Sequence, residues 1–600
     1  MRRGEIACAE CRRLKVKCDR TIPCSTCVKR GCAALCPNGT IPPGEGSRFV
    51  LAATDHLETR RATMEARMHA LEDALAILHS TQSDHTHPLL QEAFEDDAFE
   101  PSPEDIAAEQ EATGTPRIEE AQQPTRSVGA LHMDELGSSR FYGPSGGSEV
   151  RNLNVPCTRT APQELDPSYL GPEINNAYNA FPFVPAGMAV PPVQSAIESF
   201  LPSIERAVTL VDTMLEHLSW MFRIVSRAEI MNDVLPAVYK QSSRSYSLHE
   251  LALLLSVLAL GALVDLNQAP YNLEAQHYYH LTRAAITLQP VLTDQSMATA
   301  KTLHLMSIYN GMSGQERALE TTYNLLSLAG QAALRCADID PSMWQFTGQE
   351  AYERRAYFWN LLSAVMWQSL VTGRPPVILS TFIDCRIPTS EEEDLYQEGE
   401  VPVGFGVWGY RASVACLVPL VLTTLCTNTP PYDKILEVDK QIRDFFSVAR
   451  ESSSQNERTA ATMRNFVRSH YEDLMMLFLH RGCFAEAMMY PNPLRSPYAP
   501  SVQAAYKSAC MVLADTQEHY LKNPLLLTRV WRVWSNAFSA AVVVGTVARK
   551  GIHMAGMPDP FEKLESAVEL FREASTSSSR AERGLVSLLS QYSRTRESLG

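Results

Sequence analysis

Seven cysteines fall within the first 40 residues, and six of them carry a spacing that could do chemistry. Cys8 and Cys11 form one C-x2-C pair, Cys24 and Cys27 form another, and Cys18 lies between them. The sixth position falls to Cys32 or Cys36. With Cys36 the string reads C-x2-C-x6-C-x5-C-x2-C-x8-C. Two residues apart on a turn entering a helix, both sulfurs of a C-x2-C pair can reach one metal ion. Soft thiolates with no histidine in reach select zinc over magnesium or calcium. Six thiolates cannot fill two separate four-sulfur sites, but they can serve two metals if two sulfurs bridge. This ligand arithmetic implies a binuclear cluster holding two zinc ions per chain. It also implies that zinc drives the folding of a segment too small to bury a core. The competing reading, a redox or accidental cysteine patch, does not account for the spacing or the interleaved cations.

Those cations are the second chemical feature. Arg12, Arg13, Lys15 and Lys17 fall within six residues, broken by Leu14 and Val16, and on one short helix they form an edge that attracts phosphate. A lysine directed into the major groove can donate to the O6 and N7 acceptors of guanine. Arg13, Lys17, Arg20, Lys29 and Arg30 suit phosphate contacts, which position a module without reading sequence. For Arg20 and Lys29 an ordinary solvated charge is an equal alternative. The same basic run fits a nuclear-import signal, so the expected location is the nucleus.

Taken together, these residues resemble the fungal binuclear zinc-cluster transcription factors. The resemblance implies that Cys8 and Cys24 bridge the two metals, and that helices following each of them are related by a pseudo-twofold. It also favours Cys36 over Cys32, because the family's last spacing is usually six to eight residues and Pro37 follows. It assigns base reading of a CGG-like triplet to Lys15, three residues before the third cysteine. Leu14 stands where the family often has another cation, which leaves fewer base contacts. The implied partner is double-stranded DNA.

The elements that must position this module follow in order. Residues 37–50 are Pro/Gly-rich, a linker in composition. A heptad then places Leu57, Met64, Leu71 and Leu78 at d, and Thr54, Arg61, Met68 and Leu75 at a. Arg60 and Arg67 fall at g with Glu65 and Glu72 at the following e positions, so a parallel homodimer would pair them across the seam. A lone amphipathic surface helix is the alternative. The linker is long enough to leave half-site spacing on DNA open.

Charge divides the same way. The chain is 600 residues long with net charge −15, yet residues 1–40 carry nine Lys+Arg against three Asp+Glu. Everything after them is strongly acidic, which would oppose DNA contact outside the first module. From Asp84 to Thr125 there are 12 acidic residues and one basic residue, too little apolar surface to order itself. Within it, 89–100 alternates acids with large apolar groups, a pattern suited to contacting the transcription machinery, with an inert linker as the equal alternative. The N-terminus lacks the apolar core of a signal peptide. The apolar stretches 251–264 and 533–548 are too short to span a bilayer, so no membrane partner is expected. The scattered cysteines of the later chain read as reduced core residues.

Beyond residue 190 long helical periods dominate and strand alternation is almost absent. Helices are expected over 192–222, 248–266, 273–288, 297–306, 318–333, 351–372, 412–425 and 434–448. Gly373 with Pro375 and Pro376 should stop the sixth. Arg354-Arg355-Ala-Tyr-Phe-Trp359, Gly373-Arg374-Pro375-Pro376 and Asp384-Cys385-Arg386-Ile387-Pro388 resemble the fungal-specific transcription-factor (middle homology) regulatory domain over about 200–450. Arg374 fits a structural ion pair or cap better than an anion site.

No catalytic pattern emerges, so no enzyme activity is expected. Gly311-Met-Ser313-Gly314 is not a nucleophile elbow, because the second glycine comes one residue early. Glu274, His277 and His280 fan around a helix rather than converge, and read as an exposed polar face. The expected architecture is a zinc-cluster DNA-binding domain (1–40), a linker (41–53) and a short coiled coil (54–80). A disordered acidic linker (81–188), a large all-α regulatory domain (189–575) and a tail (576–600) follow. The expected function is zinc-dependent, sequence-specific regulation at RNA polymerase II promoters, with a zinc-stabilised interaction scaffold that reads no sequence as the alternative.

Overall fold

The computed structural model describes residues 8, 11, 17–19, 24–29 and 36, then 130–133, 139–142 and 164–599 except 222, 316–317, 337–339, 379–382, 397–405, 427–429 and 450–458. Two compact units divide the chain, Met1–Gln123 and Pro124–Gly600. The heptad with Leu57, Met64, Met68, Leu71, Leu75 and Leu78, and the acidic run from Asp84, lie outside the described residues.

In the first unit the described helix is α1 (Ser25–Lys29). In the second, strands β1 (Ala130–Met133) and β2 (Ser139–Tyr142) pair antiparallel, with Ala130 opposite Tyr142. This hairpin falls inside the stretch expected to be disordered linker. The helical body then begins at a 3-10 turn (Pro167–Leu170), followed by α2 (Pro172–Ala180), α3 (Val190–Glu198) and α4 (Ile204–Leu218). Next come α5 (Leu235–Val238), α6 (Leu248–Leu263), α7 (Leu273–Thr287), α8 (Met297–Met312), α9 (Ala318–Cys336) and α10 (Gly348–Thr372). The chain continues through α11 (Ser390–Tyr396), α12 (Gly406–Ala412), α13 (Val418–Thr424), α14 (Tyr432–Ala449) and α15 (Thr459–Ala487). It ends with α16 (Ala499–Lys522), α17 (Pro524–Arg529), α18 (Trp531–Arg549), α19 (Pro560–Ala574) and α20 (Ser579–Leu599). Among the described residues of 164–599 there is no strand, so this region is all-α as expected.

The centre of the body is α6. Ser247 and Glu250 form a reciprocal capping box at its start, and its side chains from Leu251 to Leu263 are buried all round. It packs between α4, α7 and α8. Gly261 makes the α4 crossing possible, because a Cβ there would collide with the Leu210 carbonyl oxygen. In the second half α15 pairs with α16, which in turn packs on α18, and α18 carries α19 and α20. The run Gly406–Thr424 is long and apolar enough to cross a membrane by length and composition alone, but 67% of it is buried inside the body, as in a core helix.

Three sequence expectations need correction. The single helix expected over 192–222 is two, α3 and α4, broken at Pro202; proline lacks an N–H and turns the preceding residue out of the helical region. Ser203 then caps α4 through the Arg206 N–H. The body also extends past both ends of 189–575. At the front, Leu170, Ile174 and Ala177 are buried at helical spacing in a stretch whose Gly/Ser/Pro average hid them. At the back, the expected tail is the amphipathic α20, which buries Ala581 and Leu588.

Candidate metal centre and nucleic-acid interface

The turn of backbone entering α1 places two sulfurs of the cluster. Cys27 N–H donates to Cys24 Sγ at 3.3 Å, and across the module Cys11 N–H donates to Cys8 Sγ at 3.5 Å. Both C-x2-C pairs therefore close the same local turn, which is what aims each pair at one point. Cys24 N–H donates to Cys36 Sγ at 3.4 Å, drawing in a residue from 12 positions further on.

The sulfurs gather into two quartets. Cys8, Cys11, Cys18 and Cys24 form one, and Cys8, Cys24, Cys27 and Cys36 the other, with all ligand atoms in each within 4.8 Å of one another. Cys8 and Cys24 belong to both. Their sulfurs are 3.8 Å apart, Cys8 to Cys27 is 3.7 Å and Cys11 to Cys24 is 3.6 Å. Four sulfurs held at ~2.3 Å around one tetrahedral zinc are ~3.8 Å from each other, so these separations fit shared metal ligation. A disulfide would need ~2 Å, and these cysteines are free. Six thiols in two quartets with two members in common is the donor set of a binuclear site.

Cys8, Cys11, Cys24 and Cys27 are buried, while Cys18 and Cys36 are partly exposed. Burial, with the neighbouring Cys8 and Cys24 sulfurs, pushes the Cys11 thiol up to about 12. Burial also raises Cys36. Cys8 and Cys24 shift the other way: against the opposing effect of burial, accepting the Cys11 and Cys27 N–H groups lowers both, and two divalent ions when bound would neutralise the cluster's thiolates.

A residue the sequence reading missed fixes the module's shape. Asp19 accepts the Ser25 N–H through both carboxylate oxygens at 3.0 and 3.3 Å, capping α1 from six positions back. Thr26 Oγ1 donates to the Lys17 carbonyl at 2.8 Å and ties the same loop to the helix. A local N-cap search looks one to three residues upstream, so this non-local cap leaves no simple signal. Of the expected DNA contacts, Lys17 is described and exposed, and Lys29 ends α1. Arg12, Arg13, Lys15, Arg20 and Arg30, with Cys32, lie outside the described residues.

In the body, the residues that carry the second resemblance converge. Arg355 on α10 is buried and donates to both Asp340 oxygens, at 2.7 and 3.0 Å, and to Glu392 at 3.1 Å. Arg386 pairs with the same Glu392 at 2.5 Å, and its N–H reaches Asp340 Oδ2 at 3.2 Å. Trp359 Nε1 donates to the Arg386 carbonyl at 3.1 Å. The Arg355 guanidinium holds the Asp340 carboxyl well below the usual carboxylate range. Gly373 ends α10 at φ 69°, as its stop signal implies, and Arg374 forms a two-pronged ion pair with Glu320.

Two other clusters bear on chemistry. The face of α7 expected to be exposed is covered by residues 165–181. Tyr169 OH meets His277 Nδ1 at 2.5 Å, His280 packs edge-on to Tyr178, and Glu274 pairs with Arg206. His280 is buried, which corrects the exposed-face reading, and the three side chains have different partners rather than one metal. Elsewhere, Ser501 Oγ lies 2.9 Å from His480 Nδ1, whose Nε2 lies 2.7 Å from Asp439. Ser501 is fully buried and its hydroxyl also meets Tyr432 OH, so the trio ties α14, α15 and α16 together with no room for a substrate.

Comparisons with known proteins agree with both sites. The model of the fungal Zn(2)-Cys(6) binuclear cluster domain matches residues 6–40, and that of the fungal specific transcription factor domain matches residues 215–412. Three Schizosaccharomyces pombe proteins, each named an uncharacterized transcriptional regulatory protein, align along most of the chain. One is 21% identical over 80% of this chain and 63% of its own length. A second is 22% identical over 74% and 56%, and a third 22% over 89% and 80%. The chain thus spans less than two thirds of the length of the first two. With the six-thiol cluster at its N-terminus and the Arg355–Asp340 assembly in its helical body, the chain carries a fungal zinc-cluster domain at 6–40 and a fungal specific transcription factor domain at 215–412.

Proposed function

We propose that the protein is a nuclear, zinc-dependent, sequence-specific DNA-binding transcription regulator acting at RNA polymerase II promoters. The observation that carries this reading is the pair of thiol quartets sharing Cys8 and Cys24, at separations suited to two tetrahedral zincs. Cys8, Cys11, Cys18, Cys24, Cys27 and Cys36 are its ligands. Zinc when bound supplies structural cross-links, and the chain's own residues supply the DNA contact. Lys15 reads a CGG-like triplet, while Arg12, Arg13, Lys17, Arg20, Lys29 and Arg30 hold phosphate. The heptad at 54–80 joins two copies, so each site has two triplets. The acidic segment from Asp84 to Thr125 contacts the transcription machinery, and the helical body regulates rather than catalyses.

Binding-site selection with the full-length, zinc-loaded protein tests the proposal, since it returns triplet, spacing and orientation together. Enrichment of paired CGG-like triplets is expected. Recovery of no sequence preference would favour the interaction-scaffold reading instead.

A further inference from the structure

Where α8, α10, α15 and α18 meet, the body forms a partly open cavity of about 80 Å³. One water needs ~10–15 Å³ on this scale, so the space takes several water-sized groups, the size of a small organic molecule. A second cavity of about 20 Å³ lies on the other side of the same wall, and His304, Ala364 and Arg532 line both.

The chemistry of that wall is not that of a structural core. His304 is 2% exposed, and both its ring nitrogens lack a hydrogen-bond partner. Buried imidazoles in folded domains nearly always find one. Arg532 is partly buried and meets one side-chain acceptor, Gln368 Oε1, at a long 3.5 Å. Among the described residues no carboxylate pairs with it. By contrast, buried Arg355 has Asp340 and Glu392, and buried Arg529 has three backbone carbonyls. Gln368 Nε2 is a further buried donor without a partner. These three donors meet at the smaller cavity; His304 and Arg532 also line the larger one, where the only full charge is the guanidinium.

The rest of the lining is mixed: His470, buried with both ring nitrogens lacking a hydrogen-bond partner, stands among apolar side chains. Trp367, Phe466 and Leu474 line the larger cavity and are themselves part of the hydrophobic core. Small-molecule sites combine such walls with a few placed polar groups that fix orientation.

We propose that this cavity is a binding site for a small organic monocarboxylate with a ring-sized or branched apolar body. The carboxylate sits against Arg532 with His304 donating beside it, and the body packs on Trp367, Phe466 and Leu474. An arginine offers a carboxylate two parallel donors, which a neutral ligand cannot match. Inorganic phosphate suits the site less well, because most of its oxygens would face apolar walls and lose their hydration. Burial lowers Arg532 to about 10 and His304 to about 3, leaving a guanidinium cation and a neutral imidazole donor near neutral pH. A bound carboxylate would join four helices of the body, so occupancy should stabilise it as a unit. This inference stands apart from the DNA-binding reading, since it concerns only the helical body.

The test uses the full chain, with thermal unfolding and titration calorimetry as readouts. Phenylacetate, isovalerate and cyclohexanecarboxylate are the probes at millimolar concentration, and phenylacetamide is the neutral match for the first. At least one carboxylate should raise Tm by several degrees and bind about tenfold or more tightly than the amide. Arg532→Gln should remove that preference, and Arg532→Lys should restore part of it. Equal binding of phenylacetate and phenylacetamide would overturn the proposal, as would carboxylate binding that persists in Arg532→Gln, or the absence of any shift with all three acids. The amide comparison uses the unaltered chain, so it stands even if a variant fails to fold.

Discussion

Cys8 and Cys24 lie 16 positions apart in sequence and 3.8 Å apart through their sulfurs, and each belongs to both thiol quartets. Loss of either should therefore disturb two metals, whereas loss of Cys11, Cys18, Cys27 or Cys36 should disturb one.

Metal counting checks that asymmetry. The full chain should bind two zincs. Cys8→Ser and Cys24→Ser should lose both on mild chelation, while Cys11→Ser and Cys36→Ser should each retain one more firmly. Cys32→Ala should keep two. Loss of zinc from Cys32→Ala with retention in Cys36→Ala would exchange the sixth ligand. Because burial and sulfur neighbours raise Cys11, metal binding must expel its proton, and zinc affinity should fall as pH falls.

The proposed DNA contacts divide by what they read. At fixed salt, Lys15→Ala should weaken binding to CGG-containing duplex by ~1–3 kcal/mol and relax preference at the guanines. Lys17→Ala should weaken binding to all sequences alike and reduce the salt slope by about one. Unchanged affinity and selectivity in Lys15→Ala would remove that residue from base reading.

The proposed dimer rests on the heptad. Sedimentation of the full chain should show concentration-dependent dimers, and Leu71→Pro should shift them to monomers by breaking the helix mid-seam. A dimer that survives Leu71→Pro would place the seam elsewhere.

The Asp340–Arg355 pair gives the body one acid-sensitive contact. Asp340 is held well below its ordinary value, chiefly by Arg355, so its contribution is complete above the usual carboxylate range near 3.8. It is lost progressively as pH falls through and below that value. Asp340→Asn leaves a buried guanidinium without its main counter-ion and should cost roughly 3 kcal/mol or more in urea unfolding near neutral pH. The difference from the unaltered chain should shrink in acid. A constant difference across pH would mean the cost is packing rather than charge.

Glycines give a paired packing test. Gly261→Ala drives a methyl into the Leu210 carbonyl and should destabilise the body by at least ~1–3 kcal/mol. Gly482 lies within α15 with no atom near a built Cβ, so Gly482→Ala should stabilise by ~0.5–1 kcal/mol through backbone entropy.

Sequence reading works where physics is local. The bridged six-thiol arrangement follows from counting ligands, and the end of α10 follows from Gly373 and the two prolines after it. It fails where meaning comes from distant partners. Asp19 caps a helix six residues on, and His280 reads as exposed until α2 is known to cover it. Nothing around His304 or Arg532 in the chain announces a cavity, because its walls come from helices separated by more than 200 positions. Composition misled at both ends of the body: Ile174 and Leu588 are core residues embedded in polar averages.

Tyr271, at the head of α7, meets Ser579, at the head of α20, through their hydroxyls at 3.0 Å, although they are 308 positions apart. Phe571, on α19, is fully buried and packs 2.7 Å from where a Cβ on Gly584 would stand. The early helices therefore lack a finished surface until the final one arrives. On the ribosome, that means the body cannot close while α20 is still in the exit tunnel. A truncation that removed α20 would release a chain with its aromatic core uncovered, a substrate for chaperones and proteases.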